Sequence, residues 1–496
     1  MKKVKNSPFL LDDWTGQSLE DGWNIIAKLA KEKYNLDWYN PNFEVVNFED
    51  MLHIYTGSLP VMYSHWSFGR QYIELHKQYL ADRMGTAYEV VFNTNPSLCY
   101  LLEHNSPTMQ ALVQCHASVG HSSFFKNNIY FKEHTNANSI MPFLKNMKIF
   151  IEECEHQHGA KEVESLLDMC HALSLYAIDR RPIRNKTNKE KEAVRLERSL
   201  NKDRDYDLTQ QLGDKTTKSA PGSGRLREEN ILKFIGKFSP ALKQWQRDII
   251  SIYCKIQQYL YPQMLTKLMN EGFASFWHHT LMTDLGDLGY LEAGQSIEFL
   301  HSHCSVLKQH DFDSKYYNGV NPYKLGFEMF KDIRRICENP TEEDKEWFPG
   351  LIGKNWIEEV KFAAYNFKDE SFIGQYLSPK LMRDLKLFVL NDSCDNNEYE
   401  ITHIHDDDGY KEIRSKLSKQ YLFGNHIPDI YVEGWDFKKR RTLYLVIQEH
   451  NGVEIKDDDT GACKSEAVMD MIKKYWPFPV HIKYIKTDGE EIPFAE

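Results

Sequence analysis

The sequence lacks a cysteine framework. Its 496 residues include nine cysteines, an odd number, and no two of them form a Cys-x-x-Cys pair. Scattered thiols of this kind are typical of a reducing compartment, and they argue against both a disulfide-stapled secreted protein and a cysteine-rich zinc site. We therefore expect reduced cysteines and a cytoplasmic location.

Long apolar runs are also missing. Nowhere do 18 apolar residues follow one another, so we expect no helix that spans a membrane. At the amino terminus, basic residues precede a short apolar stretch that Asp12 and Asp13 interrupt. This pattern differs from the long apolar region of a signal peptide, so we expect none.

The chain has no excess of basic residues. Its formal net charge is -11 and its pI is about 6.0, whereas a general phosphate-binding surface needs surplus Lys and Arg. Nucleic acid is therefore not expected as a partner. The sequence also has no Walker lysine motif, no Gly-x-Gly-x-x-Gly after a strand and no Gly-x-Ser-x-Gly turn. Nucleotide-driven chemistry has no support in it.

Helical periodicity, in contrast, covers most of the chain. A length of 496 residues exceeds what one core usually serves, which predicts two or three domains. We expect a helical domain formed by residues 1–185 and 227–391. Between them, residues 186–226 are rich in charge and then in Gly, Ser, Pro and Thr, which predicts a partly mobile insertion. Its charged first half is also compatible with a solvated helix.

The pattern changes after residue 391. Alternating strand-like segments and two amphipathic helical segments follow in the order β-α-β-β-α-β, which is the order of a ferredoxin-like unit. The predicted fold class is thus a mainly α-helical large domain with a small C-terminal α+β domain, ferredoxin-like, at residues 392–496.

Two stretches carry candidate ligands. In LMNEGFASFWHHTL (268–281), helical spacing places Glu271 and His278 on one face, whereas His279 faces elsewhere. In CHASVGHSSFF, His116 and His121 are five residues apart. That spacing separates them by about 140° on an ideal α-helix, too far to share one ion unless the helix widens or ends near Gly120.

Two imidazoles and one carboxylate form a ligand set suited to a divalent metal, zinc above all, with an open position for water. The set of His116, His121 and Glu271 resembles that of gluzincin peptidases. Those enzymes place a general-base glutamate after the first histidine, where this chain has Ala117. The base is therefore expected among Glu103, His65 and His278. The alternative is a purely structural role for each of these polar residues.

Several long blocks of the chain closely resemble the SpoVR family (stage V sporulation protein R). They are YSHWSFGR (63–70), FNTNPSLCYLLEHNS (92–106), HASVGHSSFFKNN (116–128), MNEGFASFWHHTL (269–281), the block 318–349 and the block 366–388. The resemblance implies a link to formation of the spore cortex, a peptidoglycan layer, or to the stationary-phase stress response. It also implies two partners, an AAA-type serine protein kinase and a von Willebrand factor A-like protein.

Two functional hypotheses follow. In the first, the chain is a metal-dependent, zincin-like amide hydrolase that acts on a peptide or a peptidoglycan precursor. In the second, it is a non-catalytic adaptor or scaffold that works with the kinase. A separation of more than about 8 Å between the candidate ligands would favour the adaptor, because metal–ligand bonds are near 2 Å.

Overall fold

The computed structural model describes residue 4 and residues 6–80, 89–180, 228–312, 314–317, 319–393, 398–403, 405–422, 429–435, 442–448, 472–485 and 491–495. The whole of the charged insertion expected at 186–226 lies outside these residues, and so does most of the second helical segment expected after residue 391. The domain boundaries at 185, 226 and 391 stay predictions.

The described chain is mostly helical. Its helices are α1 (Gly16–Tyr34), α2 (Phe48–Gly57), α3 (Trp66–Leu80), α4 (Pro107–Val113), α5 (Ser122–Asn127), α6 (Ile129–His134), α7 (Ile140–His158), α8 (Ala160–Ala172), α9 (Ile231–Phe238), α10 (Gln244–Leu265), α11 (Lys267–Asp287), α12 (Ala293–Val306), α13 (Pro322–Glu338), α14 (Glu342–Trp347), α15 (Trp356–Asn366), α16 (Asp369–Tyr376), α17 (Pro379–Asp384) and α18 (Asp407–Gln420). A π-helical segment, Gln114–His121, joins α4 to α5. None of the helices in the described ranges is long and apolar enough to cross a membrane.

Strands form three sheets in the described residues. They are β1 (Pro41–Val46), β2 (Glu89–Phe92), β3 (Ser97–Leu102), β4 (Val389–Ser393), β5 (Glu398–His403), β6 (Asp429–Trp435), β7 (Leu443–Gln448), β8 (Val480–Ile485) and β9 (Glu491–Ala495). The first sheet has the order β1-β3-β2, with β3 parallel to β1 and antiparallel to β2. The second pairs β4 with β5, and the third has the order β6-β7-β8-β9.

The C-terminal part is a small sheet region, as expected, but its ferredoxin-like arrangement is not confirmed. A ferredoxin-like unit needs its first strand in the sheet of the other three. Here β5 pairs with β4, whereas β6, β7 and β8 pair with one another and with β9. Sequence patterns indicate where strands occur, but strand pairing depends on contacts between distant segments, which the patterns do not contain.

Two large cores hold the helices together. The first surrounds α11 and includes side chains from α1, α4, α13, α15, α16 and α18. The second core contains side chains from the four helices α7, α8, α9 and α10 and from the third sheet, among them Val432 and Leu445. Residues C-terminal to 391 thus contribute to both cores, because Tyr410 and Ile413 of α18 pack into the first.

Helix α11 is the central element and its start is fixed by a side chain from elsewhere. The carboxylate of Asp369 accepts hydrogen bonds from the backbone N–H groups of Leu268 and Met269, each at 2.9 Å. These N–H groups have no partner inside the helix, so the carboxylate acts as a cap. The cap holds α11 in place one turn before Glu271.

Glycines let two neighbours approach α11 closely. A Cβ atom on Gly272 would lie 2.5 Å from the Cα of Gly326 in α13, and one on Gly120 would lie 2.5 Å from the Cα of Ala274. Both distances are far below van der Waals contact and involve backbone atoms, which cannot rotate away. Because Gly272 and Gly120 have no Cβ atom, α11 can pack this closely against α13 and against the π-helical segment.

We expect Gly272→Ala to destabilise the protein by about 1–3 kcal/mol or more, because the added methyl group must push two helix backbones apart. The matched control is Gly286→Ala in the same helix, where the nearest atom to a new Cβ is Ser296 Oγ at 3.8 Å. Alanine should stabilise α11 there by up to about 1 kcal/mol. Denaturant unfolding of both variants measures the difference, and equal effects would contradict the close packing.

Candidate metal centre

The π-helical segment brings His116 and His121 together. In a π-helix each turn is wider than in an α-helix, so residues five apart lie on the same side. The two imidazole rings are 4.5 Å apart between centroids and nearly perpendicular, at 89°. The widening considered for CHASVGH therefore occurs. Gly120 contributes a close contact with Ala274 of α11, which the sequence analysis did not foresee.

Glu271 of α11 completes the cluster of three. Its Oε2 lies 3.7 Å from His116 Nε2 and 3.5 Å from His121 Nε2. All three ligand atoms lie within 4.8 Å of one another. Bonds of about 2 Å to one tetrahedral ion would set such atoms about 3.3 Å apart. Small side-chain movements reach that geometry, so the arrangement suits one metal ion.

A second carboxylate, Glu89 at the start of β2, stands beside the cluster. Its Oε1 lies 3.7 Å from His116 Nε2. The sequence analysis missed this residue because Glu89 belongs to no motif with the histidines. Only the pairing of β2 with β3 and the packing of the π-helical segment bring it to the site.

The candidate ligands are nearly buried but face a cavity. His116 is 7% exposed and His121 6%. Both rings line a cavity of about 650 Å³, together with Glu89, Glu271 and the Tyr323 side chain of α13. Burial, together with the negative charge of Glu271, raises the pKa of the Tyr323 hydroxyl, which therefore stays protonated. A small molecule or a chain segment can therefore reach the cluster from one side.

Hydrogen bonds on the far side of the rings orient both imidazoles. His121 Nδ1 is 2.9 Å from Asn270 Oδ1, to which an Nδ1–H donates. His116 Nδ1 is 2.8 Å from His278 Nδ1, and His278 Nε2 is 2.7 Å from His303 Nδ1. With a proton on each Nδ1 of the ligand pair, both Nε2 lone pairs are directed at the cluster. Such outer contacts fix ring orientation in metal sites.

Burial and charge set the protonation of the cluster. Burial lowers the pKa of His121 to about 4, so its Nε2 lone pair is free at neutral pH. Burial also opposes protonation of His116, but the carboxylates of Glu271 and Glu89 raise its pKa overall. Burial likewise acts to raise the pKa of Glu271, yet His121 and His116 lower it overall. The two carboxylates thus favour a positive charge at this point of the cavity.

The three residues expected to supply a base lie in different places. Glu103 is on the surface, with its Oε1 3.4 Å from His104 Nδ1, and it does not line the cavity. His65 stacks on His171 at 4.2 Å between ring centroids, in the region of the second core, and it does not line the cavity either. His278 does line the cavity, but its Nδ1 forms a hydrogen bond with Nδ1 of His116, the ring nitrogen that faces away from the cluster. The structure brings neither Glu103 nor His65 to the cluster.

Replacing His278 with phenylalanine should weaken metal binding about 10- to 100-fold, because the new ring cannot hold the Nδ1–H of His116. The neighbouring His279 offers a matched control. Its ring contacts Phe299 and Phe327 rather than the ligand histidines. We expect His279→Phe to leave metal affinity unchanged in a competition titration with a chromogenic chelator. Equal loss in both variants would show that His278 does not orient His116.

Comparisons with known proteins identify the family of the chain. The family described as SpoVR like protein matches residues 13–426. A relative from Escherichia coli (strain K12), named uncharacterized protein YcgB, is 42% identical over 491 residues, which cover 96% of this chain and 94% of that protein. No solved structure matches the chain. The match over most of the chain, the near full-length relative and the sequence blocks around the cluster show that the chain belongs to the SpoVR family.

Proposed function

We propose that this chain is a metal-dependent hydrolase that cleaves an amide bond, with His116, His121 and Glu271 as ligands of a divalent ion. The observation that carries the proposal is their convergence: three ligand atoms within 4.8 Å of one another at the wall of a cavity. Two histidines and a glutamate are the protein ligands of catalytic zinc in several peptidases, which makes zinc the preferred ion.

A bound ion would lower the pKa of its water toward about 7 and polarise the carbonyl of an amide. The chain's own groups supply the rest. Glu89, which lines the cavity beside His116, would accept the proton of the attacking water in place of Glu103 and His65, which do not line it. The Tyr323 hydroxyl, also in the cavity lining, would donate to the developing oxyanion.

The reaction is hydrolysis and needs no other reactant. The oxygen of water bonds to the amide carbon, the C–N bond breaks and the departing amine takes up a proton. The proposed substrate is a peptide or a peptidoglycan precursor, and the scattered cysteines favour a cytoplasmic location. The family resemblance adds a role in spore cortex formation or in the stress response. These finer assignments belong to the proposal.

The alternative hypothesis is an adaptor whose C-terminal region binds an AAA-type serine protein kinase or another partner. Its support is the distinct sequence pattern after residue 391 and the lack of a complete catalytic motif, and its partners come from the resemblance. The candidate ligands lie well inside the separation of about 8 Å beyond which the adaptor would be favoured. The geometry therefore favours the hydrolase.

To test this proposal, the zinc-loaded protein is incubated with a mixed library of acetylated peptides and with peptidoglycan stem peptides. Mass spectrometry detects cleavage as pairs of fragments whose summed mass equals that of the peptide plus one water. Such fragments support the proposal if the chelator 1,10-phenanthroline prevents their formation. A protein that binds one equivalent of zinc but yields no fragment from any of these peptides would overturn it.

A further inference from the structure

The cavity borders the edge of a β-strand. Three consecutive residues of β2, Glu89, Val90 and Val91, all line it. Successive side chains of a strand point to opposite faces of its sheet, so one face can present only every second residue. Val90 packs against the cluster that contains Met51, whereas Val91 packs against the first core, so a cavity lined by both reaches the two faces of the strand and borders its edge.

That edge is open in the described part of the chain. β2 pairs with β3 on one side, in the register Glu89 with Leu101 to Phe92 with Leu98, and no described strand pairs with its other side. In an antiparallel pair, alternate residues direct both their N–H and C=O groups away from the partner strand. Such an edge is a template for an added strand, and proteins use it to bind extended peptides.

Part of the cavity lining is apolar. Helix α2, which packs against β2 and β3, contributes Phe48, Met51 and Leu52, and α5 contributes Phe125. Met51 and Leu52 are almost fully buried, at 1% and 3% exposure. Burial of an apolar ligand side chain against these residues would contribute favourably to the binding free energy.

The described lining of the cavity contains no lysine or arginine, but it includes the carboxylates of Glu89 and Glu271. A divalent ion would balance these two carboxylates. A phosphate or a second carboxylate brought into this space would lose its hydration without gaining a cationic partner.

We propose that the cavity binds an extended polypeptide segment as an added strand along β2, with an apolar side chain against the apolar residues of α2 and no anionic group next to the amide that is cleaved. This inference rests on the proposed hydrolase function, for which it names the substrate class. Peptides with apolar residues at the cleaved bond are then substrates, whereas phosphorylated or acidic segments are not.

The test uses hydroxamates, whose end group binds an open metal position. Calorimetry of the full zinc-loaded chain compares acetohydroxamate with N-acetyl-leucyl-leucine hydroxamate, its glutamyl-glutamate analogue and a leucine analogue methylated on its inner amide nitrogen. We expect the leucine compound to bind about 10- to 100-fold more tightly than acetohydroxamate, the gain from burying one leucine side chain. The glutamate compound should bind no more tightly than acetohydroxamate. Methylation of the leucine compound should weaken its binding about two- to tenfold, because one hydrogen bond is lost.

A pair of leucine variants adds a second measurement. Leu52→Asn should remove most of the gain of the leucine compound, whereas Leu80→Asn changes a leucine that is 68% exposed on α3 and should not. If acetohydroxamate binds but the leucine and glutamate compounds bind equally, or methylation has no effect, the strand-addition proposal is overturned while the hydrolase stands. If the protein takes up no zinc, or its zinc binds no acetohydroxamate, both proposals fail together.

Discussion

Replacing Trp277 with alanine should cost about 3–5 kcal/mol of unfolding free energy, the largest stability effect we expect from one side chain. Trp277 is fully buried in the first core. Its ring contacts Tyr34 and Phe276 at 5.0 Å and 5.3 Å between centroids, and Trp356 at 6.1 Å. These rings belong to α1, α11 and α15, so no one element can move in to fill the space left behind.

Trp66→Ala provides the matched control. This tryptophan is 53% exposed and makes one side-chain hydrogen bond, to Asp168 at 2.7 Å. Its loss should cost about 1 kcal/mol. Guanidinium unfolding followed by far-UV circular dichroism measures both variants. A cost for Trp277→Ala no larger than that for Trp66→Ala would show that α11 is not the centre of the core.

The largest functional effect should come from Glu271→Gln. Glutamine keeps nearly the same volume, so the fold should stay intact, but a neutral amide replaces the carboxylate that faces two histidines. We expect the variant to lose its metal and its hydrolytic activity while it unfolds at the same denaturant concentration as the original protein. The physical reason is that an amide oxygen is a much weaker zinc ligand than a carboxylate.

Glu103→Gln is the matched control for that change. The same chemical substitution at a surface carboxylate outside the cavity should leave metal content and activity unchanged. Should Glu103→Gln abolish activity and Glu271→Gln retain it, the roles assigned to the two glutamates are reversed, and the base lies where the sequence alone first suggested.

The three candidate ligands could be predicted from residue types and spacing because all three lie on helical segments. On a helix, a polar residue among apolar ones indicates which face carries it, and the structure places Glu271 near His116 and His121. Their role as metal ligands stays a prediction. The five-residue spacing of the histidines was the sole obstacle. The sequence analysis gave two ways for histidines with this spacing to meet, a wider helix or a helix end near Gly120. The structure has the first, a π-helical segment.

Glu89 could not be predicted in this way. It lies in a short strand, distant in sequence from both ligand segments, and no local pattern distinguishes it from other glutamates. His65 and Glu103 were expected near the site as replacements for the missing general base, but the structure places neither beside the cluster. His303, which continues the hydrogen-bond chain from His278, was likewise recognisable only from the fold.

The C-terminal strands show the same limit. Alternating patterns predicted four strands after residue 391, and the structure has β5, β6, β7 and β8 in that part of the chain. The partners β4 and β9 were not expected, and with them the pairing differs from a ferredoxin-like sheet. Hydrophobic alternation records which face of a strand is buried, but it carries no information about which strand lies beside it.

Metal content is the most direct test of the central claim. The protein is purified without chelators, loaded with zinc, freed of loosely bound ions and analysed by inductively coupled plasma mass spectrometry beside its Glu271→Gln and His121→Ala variants. We expect about one equivalent of zinc in the original protein and less than about a tenth in each variant, since each removes one of three ligands. Less than a tenth of an equivalent in the original protein, or a full equivalent in all three, would contradict a metal centre at His116, His121 and Glu271.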